Sequence, residues 1–197
     1  MKTSPPPLAP FLRSNTQGEV LALLLLEPEA DHSIAEITRA VGAPGAVVHK
    51  EVTRLVDAGI LTDARRGRSR LIRANPEYRL LRPLTELVAG TYGPVPVVTG
   101  LLQEVGGIEE AYLYGSWAAR YRGETGGAPA DVDVLVVGAS DRGALNEAAA
   151  AAEDRLRFPV NITRVTPKTW ADGTDPFLLT VQSRPLLRLD VPTRGDS

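Results

Sequence analysis

The chain has 197 residues, 22 Lys/Arg against 24 Asp/Glu, a formal net charge of −2 and no cysteine. That length admits two small domains or one medium one, the near-balanced charge excludes a general polyanion binder, and the lack of cysteine excludes disulfides. With only two histidines besides, no zinc site is expected.

The charge is unevenly spread. Residues 1–90 hold 12 Lys/Arg and 10 Asp/Glu, whereas residues 91–197 hold 10 and 14. Any contact with a polyanion must therefore rest on a local basic cluster. The longest leucine run, residues 23–26, is far too short for a bilayer, so no membrane association is expected and the chain reads as cytoplasmic. The opening MKTSPPPLAP is proline-rich without an apolar signal core, and residues 1–15 read as a flexible tail.

Glu19 to Leu26 (EVLALLLL) reads as an apolar helix bounded by Pro28. Ser33 followed by Glu36 is a capping box opening a second helix, Ser33 to Val41, with His32 before it in a loop. After the turn Gly42-Ala43-Pro44-Gly45, a third helix is predicted over Ala46 to Asp57 and closed by Ala58-Gly59. Its apolar stripe is Val48, Val52, Leu55 and Val56, with His49, Lys50, Thr53 and Arg54 on the other side. Two short strands follow, Ile60-Leu61-Thr62 and Leu71-Ile72-Arg73, joined by a segment carrying Arg65, Arg66, Arg68 and Arg70. Ala64 to Arg73 holds five arginines and no acid, and arginine matches phosphate because its fork donates two parallel hydrogen bonds.

Helix, helix, turn, helix and a basic hairpin over residues 16–75 resembles the winged helix-turn-helix of ArsR- and MarR-like regulators. The resemblance implies binding to double-stranded DNA. His49, Lys50, Thr53 and Arg54 would lie on the recognition helix, and Arg65, Arg66, Arg68 and Arg70 on the wing. An interaction module with a solvated basic tip is the alternative. Residues 76–93 read as a connecting helix, Glu77 to Ala89, kinked or broken at Pro83. In winged-helix regulators such a helix forms the dimer interface, so a homodimer is expected.

The second domain, residues 94–197, opens with a helix over Val97 to Val105. A strand over Ile108 to Tyr114 runs into Gly115-Ser116. After a glycine-rich spacer comes a β-branched strand, Asp131 to Val137 (DVDVLVV), then an alanine-rich helix, Arg142 to Leu156. Strand side chains alternate, so Asp131 and Asp133 share one face. Two adjacent carboxylates repel, and a hard cation relieves them. A glycine lets a phosphate approach the backbone closely, and the neighbouring hydroxyl can donate to it. A strand over Phe158 to Val165 follows, then a loop at Ala171 to Pro176, and finally a helix and short strand within Asp175 to Leu189.

Gly115-Ser116, a spacer, then Asp131-Val132-Asp133 resembles the minimal members of the nucleotidyltransferase superfamily. Together with the first resemblance it implies an α+β chain: an N-terminal winged helix-turn-helix followed by a small mixed-sheet α/β domain. It also implies a nucleoside triphosphate at Gly115 and Ser116, Mg²⁺ or Mn²⁺ at Asp131 and Asp133, and those aspartates as the catalytic acids. The third acid of that family falls at Asn161, an amide that can ligate a metal but is a poor base. Nucleotide binding is thus the primary expectation: a DNA-binding transcriptional regulator whose second domain senses Mg-nucleotide. An active transferase acting on a protein, RNA or small molecule, in a toxin–antitoxin pair with a partner protein, is the alternative, and a scaffold binding no small molecule is a third.

Overall fold

A computed structural model of the chain describes residues 11–67, 69–124 and 129–192. The chain divides into two compact units, residues 1–93 and 94–197, and carries two separate sheets. Helices and strands are mixed in both units, an α+β arrangement. No helix among the described residues is long and apolar enough to cross a membrane.

In the first unit, helix α1 (Asn15–Leu26) begins inside the segment expected to be a tail, because the Ser14 hydroxyl caps it by accepting from the Gln17 amide at 3.2 Å. Residues 1–10 of that segment lie outside the described residues. Two-residue strand β1 (His32–Ser33) occupies the expected loop, and the predicted capping box of Ser33 and Glu36 opens α2 (Ile34–Val41). Helix α3 (Gly45–Asp57) follows, then a hairpin of β2 (Leu61–Arg66) and β3 (Ser69–Ala74). The sheet order is β1-β3-β2, all antiparallel. The connecting helix is shorter and later than expected, α4 (Leu81–Tyr92). Pro83 lies in its first turn, where a missing N–H breaks no helical bond, so it neither kinks nor ends the helix. Helix α4 packs into the same core as α1, with Val88 buried among Val20, Leu24, Ile37, Val52 and Ile72.

The second unit opens with α5 (Pro94–Leu102), earlier than predicted, because the residues after Leu102 form turns. Strand β4 (Ile108–Tyr114) leads into α6 (Gly115–Tyr121). Strand β5 (Val132–Gly138), α7 (Arg142–Leu156) and β6 (Val160–Val165) come next. Helix α8 (Pro167–Asp172), α9 (Pro176–Gln182) and β7 (Leu187–Arg188) complete the unit. Asp172 thus ends a helix and Asp175 caps the next, where a loop was expected. The sheet runs β6-β5-β4-β7, with β5 and β6 parallel and the other pairs antiparallel. Parallel neighbours require a crossover, which α7 supplies.

The alternation of β5 sorts its side chains between two faces. Val132, Val134 and Val136 are buried on one. On the other, Leu135 and Val137 pack with Leu178 and Val181 of α9, flanked by Tyr112, Tyr114 and Trp170. Asp133 shares this second face, at its open end.

Candidate functional site

The register of the second sheet assembles the site. Tyr114 of β4 faces Asp133 of β5, and Asp133 faces Asn161 of β6, so three side chains form one row across three strands. Asp131 stands just before β5. The Asn161 amide nitrogen donates to Asp131 Oδ2 at 3.1 Å and to Asp133 Oδ1 at 3.2 Å. Two carboxylates and one amide are thereby brought together.

Burial, the largest influence, raises the Asp133 pKa. The Asn161 hydrogen bond opposes that rise and the Asp131 charge adds to it. Burial also raises the Tyr114 hydroxyl, a hydrogen bond with Thr163 opposes it, and the charges of Asp133 and Asp131 add to it. The face therefore grades in layers, from the acids and amide, through the Tyr114 and Thr163 hydroxyls, to the apolar residues under α8 and α9.

Gly115 sits at φ +71°, and a Cβ added there would stand 2.6 Å from Asp133 Oδ2. Only glycine meets both conditions, the left-handed backbone and the close approach of the acid. Ser116 is exposed beside it. Gly126 and Gly127 of the glycine-rich spacer lie outside the described residues.

The donor set suits one hard cation. Turning the Asn161 amide would present its oxygen beside the two carboxylates, an all-oxygen set of the kind Mg²⁺ and Mn²⁺ accept. No group of three or more His, Cys, Asp or Glu side chains forms a metal cluster among the described residues.

In the first unit, His49 and Lys50 are exposed on α3. Thr53 lies between them on the same helix face and is half-buried, with its hydroxyl enclosed and without a hydrogen-bond partner. Arg54 is half-buried and donates to Glu51 Oε1 at 2.8 Å. Glu51 was not anticipated as a core residue, yet it is buried, and its second oxygen has no partner. The arginines expected in the hairpin connection lie largely on its strands. Arg65 pairs in register with Arg70 on one face, whereas Arg66 and Arg73 lie on the other. Arg65 and Arg66 are exposed, but Arg70 donates to Asp63 Oδ2 at 2.6 Å, so an acid just outside the ten-residue cluster neutralises one member. Arg68 lies outside the described residues.

Sequence reasoning missed Tyr114 as a wall of the site and the acid partners Glu51 and Asp63. The i,i+3 spacing of Glu51 and Arg54 was the readable signal for one of these pairs. No protein-family model matches the chain, and no curated protein matches it significantly.

Proposed function

We propose that the second unit binds a divalent cation with a nucleoside triphosphate and does not turn it over, while the first unit binds duplex DNA, so that the chain is a nucleotide-responsive DNA-binding regulator. In this reading the first unit is a winged helix-turn-helix and the second a nucleotidyltransferase-like domain. The observation that carries it is Asn161, whose amide bridges Asp131 and Asp133 at the position of a third acid. An amide completes an oxygen shell for a cation but does not accept the proton of an attacking hydroxyl near neutral pH. Asp131, Asp133 and Asn161 would hold the cation, which neutralises phosphate charge when bound, and Gly115 and Ser116 would meet the phosphates. The exposed Arg65 and Arg66, with His49 and Lys50, support the DNA arm.

Calorimetric titration of Mg-ATP and Mg-GTP into the wild type and an Asp131→Asn, Asp133→Asn variant tests the reading. Binding by the wild type alone, with the nucleotide recovered intact, is expected. A wild type that binds neither nucleotide overturns it. Transfer of a nucleotidyl group to an acceptor instead establishes the transferase alternative.

A further inference from the structure

Phe177 is 44% exposed, while Leu178 and Val181 of the same helix are buried. Its ring stands edge-on to Tyr114, with centroids 6.0 Å apart and planes at 78°. Tyr114 is the register neighbour of Asp133. One tyrosine side chain therefore separates an open aromatic ring from the carboxylate row. The backbone beneath the ring is fixed, because Asp175 Oδ1 accepts from the Phe177 amide at 2.8 Å and from the Leu178 amide at 3.1 Å.

A ligand reaching both features needs a metal-binding polar end and a flat apolar part. A bare polyphosphate satisfies only the first requirement, and a nucleoside triphosphate satisfies both. We propose that Phe177, backed by Tyr114, is the stacking seat for the base of the nucleotide whose metal-bound phosphates lie at Asp131 and Asp133. The inference rests on the nucleotide reading and adds where the base goes. Stacking tolerates any base, because every base has a π face, so ATP and GTP should bind with similar affinity.

The test compares Mg-ATP with Mg-tripolyphosphate, which has no base, on wild type, Phe177→Ala and Phe177→Trp. Wild type should bind Mg-ATP about tenfold or more tighter than Mg-tripolyphosphate. Phe177→Ala should lose that preference with tripolyphosphate affinity unchanged, and Phe177→Trp should keep it. An unchanged melting temperature for Phe177→Ala would show that the fold is intact. Equal affinity of the wild type for both ligands, or an Ala variant that still prefers ATP, overturns the stacking seat and leaves the metal–phosphate site standing. A wild type that binds neither ligand overturns both.

Discussion

Asn161 and Asp133 face each other in parallel register on β6 and β5, and the amide of the first donates to the carboxylate of the second at 3.2 Å. In the absence of a cation, that amide supplies the positive end of a dipole to both acids. Asn161→Asp would replace the donor with a third negative charge. The variant should melt lower than wild type in chelator and gain more from added Mg²⁺, with cation affinity rising roughly tenfold, or about 1.4 kcal/mol. Parallel melting curves with and without Mg²⁺ decide it, and an unchanged response to Mg²⁺ would place the cation elsewhere.

Burial, the largest cause, holds the Asp133 carboxyl above its ordinary pKa. The folded chain then keeps a proton that the unfolded chain has already released. Stability contributed by this group is therefore fully present in acid and declines as pH rises from the ordinary carboxylate value through the raised one. The stability of wild type minus that of Asp133→Asn, measured by urea unfolding in chelator, should fall across that interval. A difference that rises with pH would show that the carboxylate is stabilised in the fold.

Gly115→Ala should destabilise the second unit by two separable mechanisms. The left-handed backbone at φ +71° costs a non-glycine residue about 1–2 kcal/mol, and the new Cβ displaces the Asp133 carboxylate. Adding Asp133→Ala removes the clash and leaves the backbone cost. Chemical denaturation of the two variants should therefore show partial recovery in the double variant, and no recovery would mean that the acid gives way freely.

Arg65→Ala with Arg66→Ala should weaken duplex binding and lower the slope of log affinity against log salt by about 2, one for each lost phosphate contact. Arg70→Ala should change the slope less, because Asp63 already pairs with that guanidinium. Asp63→Asn should strengthen binding by freeing Arg70. Fluorescence anisotropy at several salt concentrations checks all three, and equal effects of Arg65, Arg66 and Arg70 would mean that the Asp63 pair opens on DNA.

Features set by local chemistry were legible in the sequence. The capping box of Ser33 and Glu36, the strand over Ile108 to Tyr114 and the helix over Arg142 to Leu156 all form as read. The cap follows from a side chain reaching its own backbone, the strand from its apolar and aromatic residues, and the helix from its alanine content. What required tertiary register was less legible. Asn161 was placed by counting along its strand, but its bond to both aspartates depends on how β6 pairs with β5. The extended hairpin was under-read for a related reason. Cross-strand hydrogen bonds carry the ladder out to Arg66 and Ser69, past the apolar residues that mark strands in a sequence. Helix α8 escaped notice although Thr166 and Pro167 are a readable start signal, because it is only six residues long and buries no apolar stripe.

Asparagine and aspartate codons differ by a single purine transition in the first base. The bridge between Asp131 and Asp133 is thus one point mutation away from a three-carboxylate centre, on a scaffold whose glycine and strand register already receive it. Under the proposed function, the step between a site that holds a ligand and one equipped to consume it is short in genetic distance, and the reverse step is equally short.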